Sequence, residues 1–392
     1  MLIIQSILVY GFIMLIMHYF GKIAYIKQYP IGFYNPSKKY NPTLFSIISK
    51  SYFIIPIFVF CFFSSLRYKV GVDCENYKEA FYDTVTYGEP LKVGTSEVVY
   101  LWLTQFCSYI TNTHYLYMFL LAFLEIFFLY YAFRKQTYIL LYLGIALFLN
   151  NDYFYLMNGM RQCIVACSFV SMIPLIINKR WWIFILFVFL ASLMHRSALM
   201  LLLISIYIYF TQRGILKVRY QLFIILICYM LMDKLDISSI TNLYSLASHA
   251  GYSIESIEGY SELEAMNKNF GLTSMLLLLI YLIIVLHSKR MQRFYNSSLF
   301  NIYYNLFFIA ICLYLLFYNN FTINRLLIYV LIFVPIVISL TIFALKKTKY
   351  KYNKVYLYLL FLIMTFNFLF ILYRVSFDPS ETFLYKFDTI IK

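Results

Sequence analysis

About twelve apolar runs fill most of this 392-residue chain, and the connections between them alternate sharply in charge. The runs fall near 2–20, 47–66, 115–133, 137–150, 160–178, 181–194, 197–211, 219–233, 271–287, 299–318, 326–345 and 355–373. A bilayer core about 30 Å thick takes about 20 helical residues, so the longer runs cross it and the shorter ones tilt or break. One alternate set of connections (20–50, 134–136, 178–180, 212–219, 288–298 and 346–354) holds 20 of the 32 Lys and Arg and no Asp or Glu. The other set holds the remaining basic residues and every acid except Glu125, which lies inside a run. By the excess of basic residues in cytoplasmic loops, the first set faces the cytoplasm and both termini face out. A missed or invented crossing would exchange the two sets downstream, so the one-sided partition also supports the span count.

These features predict an all-α, polytopic integral membrane helix bundle of about twelve transmembrane helices, forming one transmembrane domain over 1–392. With 63% hydrophobic and 12% charged residues, a soluble globule is excluded. The net charge of +15 is carried by the cytoplasmic loops and is no footprint of nucleic acid. The first run lacks a basic leader and a small-residue cleavage site, so it reads as a retained span beginning at Met1.

Two extracytoplasmic loops are long. The first, 67–114, ends in an amphipathic stretch from Glu97 to Tyr109, with Val98, Trp102 and Phe106 at helical spacing, expected to lie along the membrane surface. The second, 234–270, is rich in Ser, Glu and Tyr. The seven cysteines form no CxxC and no metal-ligand spacing with the five histidines. Cys163 and Cys167 read as packing residues, and Cys74 with Cys107, in one loop, as a candidate pair. No P-loop, dinucleotide fingerprint, HExxH or nucleophile elbow is present.

The chemistry gathers on the extracytoplasmic side. Arg67, Arg161, Arg196, Arg325 and Arg374 each sit at the end of an apolar run there. Rigid cations at one mouth of a bundle suit an anionic head group such as pyrophosphate. In LRYKVGVDCENY, Arg67 leaves the membrane, Gly71 permits a turn, and Asp73 and Tyr77 follow. Arg161 and Gln162 open a span, where unpaired backbone N–H groups and the helix dipole favour an anion. His195, Arg196 and Ser197 form a turn between two runs, and an imidazole there suits proton transfer near neutral pH. Each of these arginines also has an ordinary reading as an interfacial anchor.

At these positions the chain resembles the EpsG family of bacterial polysaccharide polymerases, which share their role with the O-antigen-type repeat-unit polymerases. The resemblance runs from about Leu66 to Tyr329. It rests on Arg67 with Gly71, Asp73 and Tyr77, on Glu97 before the amphipathic stretch, on Arg161-Gln162, on His195 with Ser197-Ala198, and on Arg325. Val72 and Val98-Val99 depart from the residues common in the family at those places. The resemblance implies a GT-C-like membrane glycosyltransferase, independent of metal and of any cofactor, in the bacterial cytoplasmic membrane. Its substrate would be an undecaprenyl-pyrophosphate-linked oligosaccharide, joined repeat by repeat on the outer face, with a chain-length regulator as a candidate partner. Arg67, Arg161, Gln162, Arg196, Arg325 and Tyr77 would bind substrate, and His195, Asp73 or Glu97 would be the base. A flippase or exporter of lipid-linked saccharide would also use the arginines without needing a base. A membrane acyltransferase is a third reading and calls for a His/Asp pair.

Overall fold

The computed structural model describes residues 1–29, 49–90, 97–232, 234, 270–318, 320–348, 352–377 and 383–388, apart from the side chains of residues 321 and 322. The expected second long loop, 234–270, lies outside the described residues except at its two ends.

Among the described residues the chain is helical and holds no strand, only an isolated antiparallel bridge between Arg67 and Phe387. The helices are α1 (Leu2–Gln28), α2 (Ser51–Ser65), α3 (Cys74–Tyr87), α4 (Val98–Ile110), α5 (Tyr115–Phe133), α6 (Thr137–Leu149), α7 (Tyr153–Asn158), α8 (Met160–Ile177), α9 (Trp181–Ser192), α10 (Met200–Thr211, entered through a 3-10 turn Arg196–Leu199), α11 (Val218–Met230), α12 (Leu272–Tyr295), α13 (Ser298–Leu316), α14 (Phe321–Leu326), α15 (Ile328–Leu331), α16 (Phe333–Lys347) and α17 (Asn353–Val375). Every one of the twelve expected apolar runs is a helix. Seven are long and apolar enough to cross a membrane: α1, α5, α8, α12, α13, α15 with α16, and α17. The other five, α2, α6, α9, α10 with its entry turn, and α11, are shorter apolar helices of 10–17 residues. Polytopic all-α architecture therefore stands on seven candidate spans.

The apolar content is sorted by depth. The span Ile328–Lys347 is buried inside the bundle along its whole apolar window. α6 packs against it on one side and against α1 on the other. Small residues permit that second contact. A Cβ on Gly21 would meet the Leu140 carbonyl oxygen at 2.4 Å, so α1 and α6 touch backbone to backbone there. Around this centre α5 packs against α2 and α8, and α12 against α17. Leu8, Phe58, Trp182, Leu203, Phe223 and Leu362, on the outer helices, keep more than half of their surface exposed. Exposed apolar side chains of this number suit lipid and not water.

α4 is built the other way round from a soluble amphipathic helix. Trp102, Phe106 and Tyr109 face outward, while Tyr100, Thr104 and Cys107 face the protein. The Val99 N–H donates to the Leu193 carbonyl at 3.0 Å, tying this helix to the end of α9.

The last described residues, 383–388, return across the bundle. The Tyr68 N–H donates to the Lys386 carbonyl at 2.9 Å and the Asp388 N–H to the Leu66 carbonyl at 2.8 Å. The Tyr385 hydroxyl donates to the Phe63 carbonyl and the Tyr10 hydroxyl to the Phe383 carbonyl. The Asp388 carboxylate then takes Lys78 Nζ at 2.9 Å and stands 3.1 Å from His114 Nε2. This strap ties Leu66, Tyr68, Lys78 and His114 into one frame. The candidate pairing of Cys74 with Cys107 is not made: both thiols are free and buried, as are the other five cysteines.

Candidate functional site

The site is assembled from four segments that leave or enter the bundle at one end. The first is the turn before α3. Gly71 has φ +88, and a Cβ there would meet the Met157 carbonyl oxygen at 2.9 Å, so the turn needs glycine for conformation and for space. Two residues on, the Asp73 N–H donates to Asn158 Oδ1 at 2.8 Å. The turn is thus stitched to the residues just before α8, and Asp73 and Tyr77 are fixed relative to Arg161.

The second segment is Glu97, at the N-terminal cap of α4. One carboxylate oxygen, Oε2, pairs with Arg161 Nη1. The other, Oε1, lies 2.7 Å from His195 Nδ1 and accepts from the Arg196 N–H at 3.3 Å. Glu97 is 6% exposed, so the carboxylate is taken out of water and compensated by three partners. Burial alone would raise its pKa, but His195 and Arg161 outweigh burial and hold the carboxyl below its usual range.

The third segment is the start of α8. The Arg161 N–H, one of the unpaired donors of a first helical turn, donates to the Tyr77 hydroxyl at 3.3 Å. The guanidinium sits over the Tyr100 ring, 4.7 Å from its centroid, and Tyr100 accepts a 2.6 Å hydrogen bond from Tyr117. Gln162 Nε2 donates to Ser197 Oγ at 3.2 Å, and Ser197 Oγ stands 2.6 Å from the Tyr329 hydroxyl. The fourth segment, α14, supplies Arg325, whose Nη2 meets Asp73 Oδ2 at 2.8 Å.

His195 is held between these groups. It has extended backbone geometry in the break between α9 and the 3-10 turn, where two apolar helices stop and a polar turn intervenes. Burial lowers its pKa first. Glu97 pulls the other way, Arg161 and Arg325 lower it further, and the net is a pKa below the usual histidine range. The imidazole is therefore neutral at neutral pH. A carboxylate at Nδ1 favours the proton on that nitrogen and leaves the lone pair on Nε2. Both ring nitrogens are buried; Nδ1 has the Glu97 carboxylate at 2.7 Å but off the line of a hydrogen bond, and Nε2 has no partner. A neutral imidazole of this kind has a lone pair able to accept a proton.

The structure thus brings together Asp73, Tyr77, Glu97, Arg161, Gln162, His195, the backbone of Arg196, and Arg325. Arg67 and Arg374 stand apart. Arg67 is fully buried, turned inward onto the Met157 carbonyl (3.0 Å) and the sulfurs of Met157 and Met160, beneath the returning strap. Placed there, it braces the turn before α8 instead of facing an incoming head group. Arg374 is exposed near the end of α17. Sequence reasoning passed over Tyr100 and Tyr329. A signal existed for Tyr100, which lies three residues after Glu97, a spacing that shares a helix face; Tyr329 lies across the break between α14 and α15 from Arg325 and had none.

The model of the EpsG family matches residues 50–387, a stretch that contains the whole of this cluster. No curated protein and no solved structure matches the chain.

Proposed function

This chain belongs to the EpsG family, and from that membership we propose that it joins lipid-linked oligosaccharide repeat units into a polysaccharide at the extracytoplasmic face of a bacterial cytoplasmic membrane. The family gives the coarser function, a membrane polysaccharide polymerase of glycosyltransferase type. The finer reading is carried by one observation: a single buried carboxylate, Glu97, shared between the His195 imidazole and the Arg161 guanidinium.

In this reading His195 Nε2 takes the proton of the acceptor hydroxyl as its oxygen attacks the anomeric carbon of the donor sugar. The bond from that carbon to the pyrophosphate oxygen breaks, and the pyrophosphate leaves with the electron pair. Arg161 and Arg325 stabilise the charge growing on it. Each is worth on the order of 4 kcal/mol at 4 Å and an effective dielectric of 20, before desolvation is subtracted. A guanidinium has five N–H donors, so a bond to one carboxylate oxygen leaves it able to meet a phosphate. Glu97 holds the imidazole in the tautomer the step requires and stabilises the imidazolium that forms. Asp73, paired with Arg325, orients that arginine instead of acting as the base.

The charge partition of the loops supports the extracytoplasmic placement, with undecaprenyl pyrophosphate as the lipid carrier. Transport alone gains nothing from a neutral imidazole set 2.7 Å from a buried carboxylate, which favours the polymerase over a flippase.

The test uses the full chain purified into vesicles with lipid-linked repeat units already in the leaflet that exposes the site. Elongated polymer from the wild type, and none from His195→Ala at equal abundance, is the expected result. Wild-type elongation by His195→Ala would remove the base assignment, and no elongation by the wild type would remove the polymerase reading.

A further inference from the structure

At the end of the bundle opposite the Glu97–His195 cluster, α9 and α10 leave a groove between them. The two helices form a hairpin whose tip is the turn that carries His195, so the first residues of α9 and the last of α10 lie at its base. Each packs on α8 more than on the other, and the base opens. Lys179, Trp181, Ile206, Tyr209 and Phe210 line a space of about 640 Å³ there. Ligand pockets run from about 300 to 1,000 Å³. The Trp181 and Tyr209 rings meet edge-on in its wall, centroids 5.8 Å apart.

Two chemistries share the lining. Ile206 is 55% and Phe210 75% exposed, apolar surface that calls for an apolar neighbour. Lys179 supplies the charge. Its N–H donates to the Ile176 carbonyl at 3.1 Å and the Arg180 N–H to the Leu175 carbonyl at 2.8 Å, which closes α8 and sets both cations at the foot of the hairpin. Segments 178–180 and 211–219 hold Lys179, Arg180, Arg213, Lys217 and Arg219 and no acid. A neutral or cationic occupant would leave that charge unanswered. Depth adds to this. α9 has 12 residues, about 18 Å of helix against a bilayer core of about 30 Å. So short a helix draws the leaflet inward, which brings phosphate groups to the height of Lys179 with their acyl chains beside α10. Trp and Tyr rings, apolar with one polar edge, suit the same boundary.

We propose that this groove binds one anionic phospholipid of the cytoplasmic leaflet, with its phosphate on Lys179 and an acyl chain along Ile206 and Phe210. The leaflet follows from the charge partition of the loops, since anionic lipid surfaces attract basic segments beside a span. The site is separate from the Glu97–His195 cluster at the other end of the hairpin, and it does not rest on the polymerase reading.

The experiment is native mass spectrometry of the full chain with phosphatidylglycerol or phosphatidylcholine of the same chain length added. The wild type should retain one phosphatidylglycerol more tightly than phosphatidylcholine. Lys179→Glu, at an exposed position, should lower that retention about tenfold. Ile206→Trp, which fills the groove without a change of charge, should lower it as well. Lys354→Glu makes the same charge change at an exposed position on α17 and should retain the lipid as the wild type does. Equal retention of the two lipids, or an equal loss in Lys179→Glu and Lys354→Glu, would reduce the effect to general attraction and overturn the site. A dimer that Ile206→Trp abolishes would give the groove to a second copy of the chain instead.

Discussion

Glu97 Oε1 lies 2.7 Å from His195 Nδ1, although six helices, α4 to α9, separate the two residues in the chain. The same carboxylate holds Arg161, so one acid sets the orientation of both the candidate base and a candidate anion-binding group. Replacing it should therefore disturb two functions at once. Glu97→Gln is expected to lower the polymerisation rate by about 10²-fold or more, within the range for loss of a general acid or base system. Polymer length measured by gel electrophoresis, at matched membrane abundance, checks this.

The pH profile should carry the His195 signature. A base must be neutral to act, and His195 has its pKa lowered by burial, against the pull of Glu97. Activity should thus be level through neutral pH and fall only below the usual histidine range, as the imidazole becomes protonated. Because Glu97 raises the His195 pKa, Glu97→Gln should shift the acid limb further down. Initial rates of the residual activity between pH 4.5 and 8 report the direction, and an upward shift would contradict the pairing.

Arg161 joins charge to shape. It meets Glu97, stacks on Tyr100 and starts α8, so a lysine keeps the charge while losing the planar fork and the ring contact. Arg161→Lys is expected to lose at least tenfold in rate and Arg161→Ala more, with both proteins inserted. Full activity in Arg161→Lys would show that a point charge is enough.

Gly71 sets the turn that carries Asp73. An alanine there must adopt φ +88 and meet the Met157 carbonyl oxygen at 2.9 Å. Strain of that kind costs on the order of 1–3 kcal/mol. Gly71→Ala should lower the thermal midpoint of the solubilised protein and loosen the Asp73–Arg325 pair. A midpoint equal to that of the wild type would show that the turn yields without cost.

Asp388 fastens the returning strap to Lys78 and His114, whose side chains are nearly buried. Removing the carboxylate leaves the ammonium only the longer Glu75 pair at 3.6 Å and the Tyr68 ring, a loss on the order of 2 kcal/mol. Cys74, the first residue of α3 and buried in the wild type, is a native reporter of that loss. In Asp388→Ala it should react with a soluble maleimide faster than in the wild type, and an unchanged rate would release the strap from this role.

The sequence by itself determined that the chain is an all-α membrane bundle. Hydrophobicity and charge are sorted along a membrane chain by its solvent, so the twelve apolar runs could be read off directly, and each became a helix. Segments with chemical potential were legible for the same reason. Polar and charged residues interrupt apolar runs only at positions such as Asp73, Glu97, Arg161, His195 and Arg325, where they stand out. Partnership was not legible. Which acid meets which cation depends on how helices far apart in the chain pack, and periodicity carries no information on that. Only the tertiary structure assigned Glu97 to both His195 and Arg161, gave Asp73 to Arg325, and turned Arg67 inward under the strap. Arg67 and Arg161 look alike in sequence, each a lone cation at the end of an apolar run. What separates them is depth: residues 383–388 fold back over one and leave the other facing a shared carboxylate.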